Sequence, residues 1–220
     1  MADLFSPLVE RAIETAAEWH AGTFRKGRWT DPCAPPPEAG PAPVPAMAHL
    51  TAVALVVQRA GWDDATVAAA FLHDALEDPD RFGRYLDRDA LAAHVGEDVV
   101  RIVEAVSEPK LEGGTVLPWR TRKEAYLARL GAGPPEAAAV SLADKLHNAY
   151  SMASSLEAGV DIFASAPGRR ALSAGPEAQL WFFRAVRQAT ERHRDPRLGP
   201  MRDRVDQEVR RFARLAALRG

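Results

Sequence analysis

Apolar residues recur at close to a 3.6-residue period along most of the 220-residue chain, which is the pattern of amphipathic helices. From Pro7 to about His20 the stripe is Leu8, Ile13, Ala16, Ala17 and Trp19. Periodicity returns from about His49 to Arg59. Asp63 stands in an N-cap position for a helix over about Asp64 to Asp78, which Pro79 would stop. Shorter helices are expected over 87–94 and 97–107. Pro118 and Pro135 suit the first turn of two further helices, the second running from about Glu136 to Leu156, before Gly159. After an irregular 160–175, helices are expected near 176–192 and 200–218. No alternating strand pattern and no internal repeat is visible, so the expected fold class is all-α.

One segment breaks the helical rhythm. Residues 28–45 carry Pro32, Pro35, Pro36, Pro37, Pro41, Pro43 and Pro45 with Gly40, which excludes a helix and predicts a surface loop inserted into the domain, with the length of a lid. The division expected is a domain over 1–195 and a C-terminal amphipathic helix over 196–220. That helix carries Val205, Val209, Phe212 and Leu215 on one face. It would pack on the domain or on a second subunit, which would suit a homodimer.

Composition narrows the function classes. Hydrophobic residues make up 47% and charged residues 26%, enough for one packed core. With 28 basic and 30 acidic residues the formal charge is −2, so no basic excess points to nucleic acid, and an anionic ligand would need a local cluster. Cys33 is the single cysteine, which rules out an internal disulfide and a cysteine-rich zinc site. No signal-peptide pattern opens the chain, and no stretch approaches the roughly 20 apolar residues of a membrane span. The expectation is a cytoplasmic protein.

Two segments place ionisable groups where a core is expected. In Phe71-Leu72-His73-Asp74-Ala75-Leu76-Glu77-Asp78, a continued helix would set His73 above Glu77 and Asp74 above Asp78. Three carboxylates on so apolar a helix cost several kcal/mol unless a cation compensates them. In Ser141-Leu142-Ala143-Asp144-Lys145-Leu146-His147-Asn148, Asp144 again needs a partner, which Lys145 or an arginine would supply as well as a metal. His49, near the start of its helix, reads on its own as a core histidine. Taken together, two imidazoles and two carboxylates form a mixed N/O set suited to Mn²⁺ or Fe²⁺. The cluster Trp119-Arg120-Thr121-Arg122-Lys123 at a helix N-terminus would favour phosphate, or be a solvated face. His20, His94, His193 and Tyr126 are read as structural, and Trp181-Phe182-Phe183 as core.

Taken in order, these elements resemble a known family. His49, His73-Asp74 and Asp144 resemble the H…HD…D signature of the HD superfamily of helical phosphohydrolases. The resemblance is closest to RelA/SpoT hydrolase domains and the small stand-alone alarmone hydrolases. Arg25-Lys26-Gly27, His73-Asp74 with Glu77-Asp78, and Leu142-Ala143-Asp144-Lys145-Leu146-His147-Asn148 are similar to that family's Arg-Lys-Gly, HDxxED and LADxxHN elements. The resemblance implies an HD-domain helical bundle with metal ligands His49, His73, Asp74 and Asp144. It makes Glu77 and Asp78 the catalytic carboxylates that orient or deprotonate water. Arg25, Lys26, Asn148, Arg120, Arg122 and Lys123 would meet the substrate. The cofactor implied is a divalent metal, Mn²⁺ first, with Fe²⁺, Mg²⁺, Co²⁺ and Zn²⁺ as alternatives.

The reaction implied is hydrolysis of the 3′-pyrophosphate of a guanosine nucleotide such as ppGpp. The chain departs from the pattern at Pro45-Ala46, where the family has Pro-Tyr, and at Leu50 after His49. That departure keeps open a nucleotide phosphatase acting on a nucleoside monophosphate or related metabolite. A nucleotide-sensing helical module without turnover is the alternative of another class. No synthetase domain is expected after residue 150.

Overall fold

The computed structural model describes residues 4–30, 42–108, 111–112, 115–165 and 171–217. Of the proline-rich segment, residues 31–41 lie outside them. The helices are α1 (Pro7–Trp19), α2 (Ala46–Arg59), α3 (Asp64–Leu72), α4 (Arg88–Val95), α5 (Glu97–Val106), α6 (Trp119–Ala132), α7 (Pro135–Glu157), α8 (Pro176–Ala189) and α9 (Leu198–Ala217). The helical fold expected from the periodicity is the fold observed.

Two antiparallel ribbons correct the reading of a strandless chain. Strand β1 (Phe24–Thr30) pairs with β2 (Ala42–Pro45), and β3 (Leu111–Glu112) pairs with β4 (Thr115–Val116). The ends of the expected 28–45 loop are therefore a ribbon. Its register is irregular between Phe24 and Trp29, which hides any period-2 pattern from the sequence. Both strands are edges, and an edge tolerates Pro43 and Pro45, which have no N–H to give. The ribbon brings Arg25 back towards the start of α2, where the Ala46 N–H donates to the Thr23 carbonyl at 3.0 Å.

The core is organised around α7. Ala137 through Lys145 are all buried, so this helix is enclosed on every side over its first half. Helices α2, α3 and α5 pack against it, and α3 in turn lies on α1 and α2. Helix α3 is capped by Asp63, which accepts from the Thr66 N–H at 2.9 Å, and is buried from Thr66 to Leu72. Helix α9 packs its apolar stripe on α7 and α8, burying Leu198, Met201, Val205, Val209 and Phe212. That face is thus covered within the chain.

Helix α3 ends at Leu72, six residues before the end expected from Pro79. His73 donates its Nδ1–H to the Ala70 carbonyl at 2.8 Å, the acceptor that Asp74 N–H would use in a continued helix. The backbone tightens into turns, with Ala75 N–H on Leu72 O at 2.9 Å and Asp78 N–H on Asp74 O at 2.9 Å. His73 and Glu77 therefore do not share a helix face. The turns are pinned from outside by Trp19 Nε1–H, which donates to the Asp78 carbonyl at 2.8 Å.

Phe212 is wholly buried, with ring centroids 6.0 Å from Phe183 and 6.3 Å from Phe163. Phe212→Ala is expected to lower the unfolding free energy by about 3–5 kcal/mol. Chemical denaturation would show it as a lower midpoint at unchanged slope. A loss under about 1 kcal/mol would mean that α9 is not part of the cooperative unit.

Candidate metal centre

Two helix ends and one helix middle converge on a buried polar cluster. His49 comes from the first turn of α2, His73 and Asp74 from the turns after α3, and Asp144 from the middle of α7. His49 Nε2 lies 3.1 Å from Asp144 Oδ1. His73 Nε2 lies 3.4 Å from Asp74 Oδ1 and 3.9 Å from Asp144 Oδ1. Ligating atoms of His49, His73 and Asp74 fall within 4.8 Å of one another. An inner cavity of about 150 Å³ is lined by all four residues.

The donor set fits a cation. Because a carbonyl only accepts, the bond to Ala70 fixes the proton of neutral His73 on Nδ1. Its buried Nε2 then presents a lone pair, without a hydrogen-bond partner, to two carboxylates. Such an arrangement is repulsive unless a proton or a metal ion lies between. A ring whose second nitrogen is fixed by a backbone carbonyl is the usual form of a metal-ligating histidine.

The electrostatics divide the two imidazoles. Burial and the nearby Arg25 push the His49 pKa well below its ordinary value. Burial also opposes charge on His73, but Asp74, Asp144 and the Ala70 carbonyl outweigh it and raise that pKa. Asp144 is held well below the carboxylate range, since Lys145 and then His49 overcome the cost of its burial. Lys145 Nζ contacts Asp144 Oδ2, and Asn148 donates to Asp144 Oδ1 while accepting from Arg25.

A larger cavity of about 460 Å³ opens beside this cluster. Its lining joins the charged and polar side chains of Arg25, His49, Asp74, Glu77, Arg122 and Lys123 with Met152, Ile162, Leu172, Gln179 and Phe182, whose ring lies 4.5 Å from Lys123 Nζ. Ala46 lies in its wall, where an aromatic was the pattern expected. Asp78 also lines it, and Glu77 Oε2 accepts the Glu108 N–H at 3.0 Å.

The structure does not gather every residue named from the sequence. Arg120 is exposed, pairs with Glu124 at 2.7 Å and lies 3.2 Å over the Trp181 ring, so it does not line the cavity. Of the cluster after Pro118, Trp119, Arg122 and Lys123 line the cavity and Arg120 and Thr121 do not. The Lys26 side chain lies outside the described residues. Three contributors were not named from the sequence. Glu108 is buried and paired with both Arg122 and Lys123. His147 Nδ1 lies 2.7 Å from His49 Nδ1. His20, read as structural, is buried in the cavity wall. His147 stands inside the Leu142–Asn148 element and His20 one turn after Ala16 at the end of α1, but neither position by itself tells a site residue from a core one, and Glu108 lies in no pattern at all.

A family model described as the HD domain matches residues 29–165. The chain belongs to the HD domain family. This HD domain protein is 33% identical over 135 residues to the human guanosine-3′,5′-bis(diphosphate) 3′-pyrophosphohydrolase MESH1, covering 60% of this chain and 65% of that protein. It is 30% identical over 145 residues to a GTP pyrophosphokinase of Streptomyces coelicolor, covering 66% of this chain but only 14% of that much longer protein. The solved structure of a metazoan ortholog of SpoT that hydrolyzes ppGpp aligns with a TM-score of 0.65 at 20% identity. It covers 95% of this chain and 97% of that one, a likeness of fold. Among the described residues, no helix is long and apolar enough to cross a membrane.

Lys145→Met removes the buried cation beside Asp144. In metal-free protein this is expected to cost about 3–5 kcal/mol of stability, read by thermal or chemical unfolding in chelator. Because the folded pKa of Asp144 is depressed, the stability it contributes is present above the ordinary carboxylate pKa and is lost as pH falls through the folded one. The difference between wild type and variant should therefore shrink in strong acid. A difference constant down to that range would contradict the pairing.

Proposed function

We propose that the chain is a divalent-metal-dependent phosphohydrolase that removes the 3′-pyrophosphate of a guanosine nucleotide such as ppGpp. Its metal ligands in this reading are His49, His73, Asp74 and Asp144, with Mn²⁺ as the working ion. The observation that carries the reading is the buried His73 Nε2 lone pair turned on two carboxylates, at the head of a cavity with cations on its wall. The similarity to proteins named as ppGpp pyrophosphohydrolases supports the substrate.

A bound divalent ion supplies Lewis acidity towards a phosphoryl oxygen and lowers the pKa of water. The protein's own groups do the rest. Glu77, its Oε2 aimed by the Glu108 N–H, accepts the proton of the attacking water. Asp78, on the turn pinned by Trp19, lines the same wall and orients that water. Arg25 is set by Asn148, and Arg122 and Lys123 by Glu108, so three cations stand ready for phosphate oxygens. The apolar part of the lining, Met152, Ile162, Leu172 and Phe182, takes the nucleoside together with the Gln179 amide.

A second reading, a phosphatase acting on a nucleoside monophosphate, is favoured by one observation. Ala46 leaves the wall beside His49 without an aromatic ring.

The test is release of pyrophosphate and phosphate by the purified protein with Mn²⁺, from ppGpp, pppGpp, NADPH and nucleoside monophosphates. Pyrophosphate is expected from ppGpp and pppGpp and from no other substrate of the panel, and orthophosphate from the monophosphates or NADPH would favour the second reading. Asp74→Ala should lose metal and activity together; a variant with undiminished metal content would sink the ligand set. Glu77→Gln should keep the metal and lose about 10²–10⁴-fold in turnover. Wild-type turnover in that variant would remove Glu77 from the mechanism.

A further inference from the structure

Both ring nitrogens of His49 are engaged from a single helix. Nε2 faces Asp144 Oδ1 at 3.1 Å, and Nδ1 faces His147 Nδ1 at 2.7 Å, with the two imidazole centroids 4.8 Å apart. Asp144 and His147 are three residues apart on α7, so one helix face carries both flanks of the ring. Helices α2 and α7 pack directly, which fixes the separation of the two imidazoles.

Two nitrogens 2.7 Å apart must share one hydrogen, since two lone pairs or two N–H groups would repel. Which ring owns that hydrogen decides the chemistry of His49. If His147 owns it, His49 accepts at Nδ1, and its own proton sits on Nε2, pointing at Asp144 with no lone pair to offer. If His49 owns it, Nε2 is a bare donor atom facing Asp144, His73 and Asp74, an arrangement that a cation between Nε2 and Asp144 relieves.

We propose that His147 is a positioning residue that accepts the Nδ1 proton of His49 and thereby turns the His49 Nε2 lone pair towards a divalent cation. The inference rests on the reading of His49 as a metal ligand. It parallels the fixation of His73 by the Ala70 carbonyl, with a side chain doing for one ligand what the backbone does for the other. His147 touches His49 and not the metal.

The experiment measures Mn²⁺ affinity by chelator competition in wild type, His147→Asn and His147→Phe, with thermal unfolding in chelator as the folding control. Asparagine keeps an acceptor near the place of Nδ1, whereas phenylalanine keeps the ring and removes it. Expected are near wild-type affinity for His147→Asn and a loss of about 10–100-fold for His147→Phe. Equal affinity in all three proteins, or equal loss in both variants, would overturn the proposal and leave the metal site standing. A wild-type protein that binds no Mn²⁺ would instead overturn the metal reading, and the proposal with it. Nitrogen-15 NMR of the Cd²⁺-loaded wild type needs no variant. A His49 proton on Nδ1 supports the assignment, and a His49 proton on Nε2 refutes it.

Discussion

The carboxylate of Asp144 is buried in the middle of α7, directly after a run of buried residues that is apolar except for Ser141. Taking a charge out of water to that depth costs several kcal/mol, and the protein meets the cost with an unusually complete set of partners. Lys145 faces one oxygen and Asn148 donates to the other, from which the His49 ring nitrogen lies 3.1 Å away. Each partner then constrains something further away: Asn148 sets Arg25 on the ribbon, and His49 ties α2 to α7. The buried charge thereby specifies where the ribbon, α2 and the end of α3 must meet.

The same logic of local neutralisation runs through the cavity wall. Glu108 answers Arg122 and Lys123, and its backbone N–H holds Glu77. His73 and His20 each leave a buried Nε2 without a hydrogen-bond partner, but His73 is the one held between Asp74 and Asp144. Its Nε2 meets acceptors only, and that is why it marks the centre on physical grounds as well as by likeness to the HD domain family.

Helix existence was legible in the sequence because apolar periodicity reports burial, and α1, α2, α7 and α9 stand close to where it placed them. The end of α3 was not legible. Pro79 announces a stop at Asp78, but the helix yields earlier, where the His73 side chain takes the Ala70 carbonyl three residues back out of the ladder. The ribbon β1–β2 escaped for a related reason, since a register irregularity erases alternation. Among site residues, those in compact motifs could be found, as polar groups inside apolar runs. Glu108 could not, because its role depends on cations 14 and 15 positions later in the chain. Arg120 was misplaced by proximity in sequence to Arg122, although a helix turns such neighbours away from one another.

The pairing of Glu108 has a consequence for recruitment. Arg122 and Lys123 share one buried counter-charge, which leaves about one positive charge in excess on that wall beside Arg25. In the proposed reaction an incoming phosphate would meet that excess first and then exchange with Glu108 for the contacts the carboxylate holds. The counter-charge thus keeps the two side chains in place while the cavity is empty and can be traded once an anion arrives.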